Sequence, residues 1–266
     1  MQTTRRTDMR VDSEAISPFL DFGFYYEMEC RYGVQCQRQT SLDMQYRGVD
    51  VVIESRRGES YIDEKVKVDN INDPPTAYAF ELSSIQRDTV WQGWFVGKDI
   101  ITTHYLIGCV FSKNADKRTL RREEIDYISA SLVLKSDIVN WLVNHGVTND
   151  KLVALDADIR QNPNKYRVYP NQRRTFRIQL KETDKVWLTY SAWLNEAPIN
   201  LSVPTAILDN LPNSRRYVIS KNGFTELGKP LSATVLEAQV KEEREAVSRL
   251  YERVMRIETR LGIKKW

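Results

Sequence analysis

The sequence predicts an α/β or α+β domain that carries a long C-terminal helix, and three observations support this. Aromatic and β-branched runs separated by turn residues fill positions 49 to 111. From residue 121 the apolar spacing changes toward that of a helix, and from Val240 onward apolar residues recur every seven positions. A chain of 266 residues allows one large domain or two small ones, at roughly 100 to 200 residues per domain. The division expected is a main domain over 1–230 and a helical appendage over 231–266.

In order along the chain, "SPFLDFGFYYEM" (17–28) predicts a short helix, with Ser17 as N-cap and Pro18 at the first helical position, where its missing N–H does no harm. Residues 49–55 and 60–68 read as strands separated by "RRGE"; "TAYAFEL" (76–82) and "ITTHYLIGCVF" (101–111) continue a meander of about four strands. Ile125, Ile128, Leu132, Ile138 and Leu142 predict one or two helices that stop at Gly146. "RTFRIQL" and "KVWLTYSAWL", within 174–194, return to strand, and the prolines of "APINLSVPTAILDNLP" mark loop and short elements. In the tail, Val240, Val247, Val254 and Leu261 stand seven apart, with Leu250 and Ile257 between them. This narrow seam suits a helix laid along its own domain or a short coiled coil over 235–262 that makes a homo-oligomer.

The chain holds 39 basic and 36 acidic residues, a net charge of +3, so it lacks the field of a protein that coats nucleic acid, and such binding would need local patches. Cys30, Cys36 and Cys109, with His104 and His145, lack zinc-site spacing and read as reduced thiols and packing residues of a cytoplasmic protein. No stretch approaches the ~20 apolar residues of a membrane span, so no membrane partner is expected.

The chemistry gathers in "DVVIESRRGESYIDEK" (50–65). A tight loop centred on Arg57-Gly58 would place Asp50 opposite Lys65, Val52 opposite Asp63 and Glu54 opposite Tyr61, all on one face. Opposed Cβ atoms lie ~4.5 to 5.5 Å apart and diagonal ones ~7 to 8 Å, close enough for two carboxylates to share a metal ion. The other face carries Val49, Val51, Ile53, Ile62, Val66 and Val68, with Glu64 as the exception. A carboxylate there must find a partner, such as an arginine, or turn toward the site at a bulge. Mg²⁺ or Mn²⁺ held by one or two carboxylates keeps places for water and a phosphate oxygen, and a neighbouring lysine can stabilise the same developing charge or activate the water.

Asp50 with "IDEK" resembles the bipartite motif of the PD-(D/E)xK nuclease superfamily, although Val49 stands where the motif's proline would be. The stretches "QYRGVD" (45–50), "IDEK" (62–65) and "TAYAFEL" (76–82) resemble more closely a group of bacterial and phage members of that superfamily. The resemblance implies a restriction-endonuclease-like core, a central mixed sheet flanked by helices. It also implies divalent-metal dependence and hydrolysis of DNA or RNA phosphodiester bonds.

On this reading Asp50, Asp63 and Glu64 are the candidate metal ligands, Lys65 is the catalytic lysine, and Gln45 and Glu81 are supporting candidates. The resemblance further implies an acid from the first helix, Glu27 or Glu29. Arg173, Arg174 and Arg177, which flank Phe176, form a candidate nucleic-acid contact. The competing reading is a catalytically inactive binding or assembly protein on the same scaffold, oligomerising through its C-terminal helix. A phosphodiesterase acting on nucleotides is a third.

Overall fold

The computed structural model describes residues 10–69, 71–169 and 171–228; the expected C-terminal helix and its heptads lie outside the described residues. Within them the architecture is mixed α/β. A seven-stranded sheet takes the order β1 (Gln35–Arg38), β2 (Val51–Ser55), β3 (Gly58–Lys67), β6 (His104–Ser112), β7 (Ile125–Leu134), β11 (Arg215–Ser220), β12 (Gly223–Leu227). Its pairs are antiparallel except β3 with β6, which is parallel. A second, antiparallel sheet takes the order β5 (Thr89–Gln92), β4 (Ala77–Gln86), β10 (Ile199–Pro204), β9 (Trp187–Tyr190), β8 (Phe176–Gln179).

Alternation along β6 places the two cores. Leu106 and Val110 face a helical segment, α1 (10–32), which buries Ile16, Phe19, Leu20 and Phe24. Tyr105 and Ile107 face the second sheet, where Tyr78, Phe80, Leu188 and Leu201 meet Ile138 and Leu142 of α3 (Lys135–Asn144) and Leu152 and Ile159 of α4 (Asn149–Gln161). A strand buried on both faces must be apolar throughout, which accounts for "YLIGCV".

Four sequence expectations change. The strands expected over 49–111 all form, but not as a meander: β4 and β5 leave for the second sheet, and that excursion lets β6 return parallel to β3. Residues 125–134 are a strand rather than a helix; their three- and four-residue apolar spacing is overridden by pairing with β6 and β11. Ser17 and Pro18 lie inside α1, not at its start; wide π-turns at Asp12–Ile16 and Asp21–Tyr25 flank them, and such turns are a recognised source of helix irregularity. The "INLSVP" segment, expected among loop and short elements, is β10 at the centre of the second sheet, followed by α5 (Thr205–Asp209).

Candidate active site

The β2–β3 hairpin turns at Arg56 and Arg57, and Gly58 then takes a φ of +115°. The Ser55 hydroxyl fixes this turn: it donates to the Gly58 carbonyl (3.0 Å) and accepts the Arg57 N–H (3.1 Å). Pairing therefore runs Val51–Ile62, Val52–Tyr61, Ile53–Ser60 and Glu54–Glu59. The expected register is corrected by two residues, because the turn is centred one residue earlier than the sequence suggested. A two-residue slip preserves which residues of the two strands share a face, and Asp63 and Lys65, two apart on β3, lie on one side at any register.

Asp50 lies just before β2, where the ladder breaks. Its N–H donates to the Ile62 carbonyl (2.8 Å) instead of continuing to Asp63, and its Oδ2 accepts the Glu64 N–H (2.7 Å). Burial and the neighbouring Asp63 push its pKa up to about 6, against the Glu64 N–H and Lys65, which pull it down. Asp63 is 4% exposed. Burial raises its carboxyl and the Lys65 ammonium opposes the shift. Lys65 Nζ stands 3.0 Å from Asp63 Oδ2. The two form a close ion pair, and among the described residues no hydrogen-bond donor other than Lys65 reaches this buried oxygen.

Around this pair, Lys65 Nζ lies 5.1 Å from the Trp94 ring centroid and 5.6 Å from that of Tyr105. Lys135, the first residue of α3, donates its Nζ to the Trp94 carbonyl (3.3 Å), and its ammonium is influenced by Asp63. Neither Trp94 nor Lys135 was found from sequence. The available signal for both was weak: an exposed aromatic in a glycine-bounded loop, and a lysine at the start of a helix far along the chain.

Glu64 projects to the opposite face, where Arg38 of β1 grips it through Nη1–Oε2 (2.9 Å) and Nη2–Oε1 (3.1 Å). The expectation of an arginine partner is met, and the expectation of a side-chain metal ligand is not, since the guanidinium occupies both oxygens. Arg38 also binds Asp21 through Nε (2.8 Å). Glu27 pairs with Arg31 (3.0 Å) and Glu29 accepts the Cys36 N–H (2.8 Å), so neither is the acid from the first helix that reaches this region. Besides Asp21, α1 brings Asp12 near enough for its charge to act on Asp50 and Glu64; Asp12 keeps solvent contact, and the surrounding protein and the Glu64 carboxylate raise its pKa.

Gln45 is exposed on α2 (Leu42–Tyr46), and its side chain makes no hydrogen bond among the described residues; its carbonyl accepts the Gly48 N–H (3.0 Å) on the path to Asp50. Glu81 points from β4 away from the core and accepts the Ser84 hydroxyl (3.1 Å). Its carbonyl accepts the Phe95 N–H (3.1 Å), so Glu81 helps to anchor the Trp94 loop and does not join Asp63. Arg173, Arg174 and Arg177 are exposed beside or on β8, the edge of the second sheet. Phe176 between them is 5% exposed and covered by Arg174, so it offers no ring to a substrate; Arg177 stacks on Trp187 at 3.8 Å.

No family model, curated protein or solved structure matches this chain. The fit of a metal therefore rests on the donors. Two crowded carboxyls whose charged forms are disfavoured, one of them with a buried oxygen that meets only the Lys65 ammonium, suit a cation. Among the described residues no three His, Cys, Asp or Glu side chains cluster in metal-binding geometry. Two carboxylates are what Mg²⁺ ordinarily takes from a protein, with water and phosphate oxygens completing its shell.

Asp50 makes stability depend on pH. A carboxyl raised in the fold holds its proton more tightly folded than unfolded, so stability falls as pH rises from the ordinary value near 3.8 to about 6. The expected loss is roughly 2 to 3 kcal/mol. In metal-free denaturant titrations Asp50→Asn should match the wild type near pH 4 and exceed it at pH 7 by about that amount. Parallel curves across the range would refute the assignment.

Proposed function

We propose that this chain is a divalent-metal-dependent nuclease of the PD-(D/E)xK type, hydrolysing phosphodiester bonds of nucleic acid, DNA in the first instance. The observation that carries the reading is the convergence of two buried carboxyls, Asp50 and Asp63, on one lysine, with Asp63 Oδ2 meeting only the Lys65 ammonium. A mixed sheet with helices against it supports a restriction-endonuclease-like core.

Asp50 and Asp63 would hold Mg²⁺ or Mn²⁺, which supplies an activated water and Lewis-acid stabilisation of the phosphoryl group when bound. Asp50 is oriented for this by the Glu64 N–H, and Asp63 by its place inside β3. Lys65 is held by Asp63 and by the two aromatic rings. Its ammonium stabilises charge on the phosphoryl oxygens in a site where water is partly excluded. Arg38 acts at one remove, fixing the strand residue whose N–H orients Asp50.

The test is incubation of plasmid, single-stranded DNA and RNA with the purified protein in Mg²⁺, in Mn²⁺ and in EDTA. Cutting that EDTA abolishes is expected, together with a calorimetric Mn²⁺ site that disappears in Asp50→Asn and Asp63→Asn. A folded protein that cuts none of the three and binds no Mn²⁺ would reject the reading in favour of a binding protein.

A further inference from the structure

The loop after β5 splits two adjacent aromatics. Phe95 goes inward, 1% exposed, to pack on Phe80 with ring centroids 5.6 Å apart. Trp94 stays outside, 41% exposed. The backbone between them is tied to β4: Gly93 N–H donates to the Leu82 carbonyl (2.7 Å), Phe95 N–H to the Glu81 carbonyl (3.1 Å), and Gly97 N–H back to the Gly93 carbonyl (3.0 Å). A Cβ on Gly93 would stand 2.4 Å from the Glu81 carbonyl oxygen, so the approach is closed to any other residue without a shift. The backbone that presents the indole is held in this way, so binding there needs little further ordering of the loop.

Single exposed aromatics are ordinary on protein surfaces. Trp94 differs in its neighbours. Lys65 Nζ lies 5.1 Å from its ring centroid, and Lys135 Nζ donates to its carbonyl at 3.3 Å. An aromatic face with ammoniums at its ring and at its backbone matches a nucleotide, whose base offers a π-face and whose flanking phosphates offer negative charge. In a duplex the base faces are covered by their neighbours and only the edges reach the grooves. Within a strand, away from the ends of a duplex, an indole can therefore stack only on a base that is unpaired.

We propose that Trp94 is a base-stacking subsite, with Lys135 as its phosphate anchor, that admits an unpaired nucleotide next to Lys65, so that the preferred substrate is single-stranded nucleic acid. The proposal rests on the nuclease reading for the direction of the strand past Asp63, but its test is binding and needs no chemistry.

The experiment is fluorescence anisotropy of a short fluorescein-labelled single-stranded DNA with the full chain, calcium replacing magnesium, and with unlabelled single strand or blunt duplex as competitor. Trp94→Ala and Trp94→Leu should weaken binding about 5- to 100-fold, the range expected for losing one stacked base, while Trp94→Phe should restore most of it. Lys135→Gln should weaken binding and lower the salt slope by about one counterion. Duplex should compete poorly.

Equal binding by Trp94→Leu and Trp94→Phe, both folded by circular dichroism, would overturn the proposal, as would competition by duplex equal to that by single strand, or no binding of single strand by the wild type. Trp94-dependent binding in a protein that cuts nothing and binds no Mn²⁺ would uphold the subsite while rejecting the nuclease. Metal-dependent cutting with binding unchanged in Trp94→Ala would do the reverse.

Discussion

Replacing Asp63 with asparagine should lower cleavage by at least about 10²- to 10³-fold, the loss typical of removing one preorganised electrostatic group, while leaving the melting temperature at pH 7 unchanged or higher. The two expectations have one cause. Asp63 is buried in a strand interior, and burial raises its pKa, so at neutral pH its charge opposes folding and only partly gains from Lys65. Asparagine keeps the volume, removes the charge and still offers Lys65 an amide oxygen. Lys65 keeps its contacts with the Trp94 and Tyr105 rings and is 15% exposed at its side chain, against 6% for Glu64, so water reaches it and it is not stranded as Glu64 would be without Arg38. A residue kept for packing would behave otherwise, losing stability and function together. The measurement is paired: initial cleavage rates in Mg²⁺, and thermal melts in EDTA so that metal binding does not contribute. Full activity would remove Asp63 from the centre, and a large drop in melting temperature would make any loss of activity uninformative.

The part of the site that lies within one hairpin was legible in the sequence, because strand alternation assigns faces from residue number alone. Asp63 and Lys65 stand two apart on one strand and share a face whatever the register, so the position of the turn does not affect their side of the sheet. The turn lies one residue earlier than its glycine suggests, because Ser55 closes it and Gly58 supplies the positive φ just after it. Glu64 announced itself as a carboxylate on an apolar face, and a partner was demanded on energetic grounds. That the partner is Arg38 depends on β1 pairing with β2, which brings residues 26 positions apart into contact.

What could not be read comes from long-range pairing. Residues 125–134 carry helical spacing yet lie between two strands, one of which arrives from residues 215–220. Ile199–Pro204 looked like loop because prolines flank it, and is central because Pro204 ends the strand rather than interrupting it. Lys135 and Trp94 meet only because β6 and β7 bring the start of α3 beside the loop that follows β5. No local pattern encodes that meeting. Asp12 in turn comes near Glu64 only because α1 lies along the sheet face that Glu64 shares.

The buried Arg38–Glu64 pair gives the largest stability prediction. Arg38→Met should cost about 3 to 5 kcal/mol, since removing one partner of a buried pair leaves the other charge uncompensated. Glu64 is 6% exposed at its side chain, and burial already pushes its pKa up against the pull of Arg38. Without the guanidinium that carboxyl rises further. The sign of its pH dependence follows: a raised carboxyl favours the fold when protonated, so the variant should be most impaired above neutral pH and recover toward the wild type as pH falls through the carboxylate range. Arg38→Met with Glu64→Leu should regain most of the loss, because an apolar pair in an apolar setting needs no compensation. The coupling from that double-mutant cycle, read from denaturant midpoints at pH 7.5, should amount to several kcal/mol, and a value within error of zero would mean that the pair does not hold β1 to β3. The same cycle reaches the site. Glu64 N–H holds Asp50 whatever its side chain is, so the double variant should retain the Mn²⁺ site, whereas Arg38→Met alone, with a stranded carboxyl pulling at β3, should bind the ion more weakly.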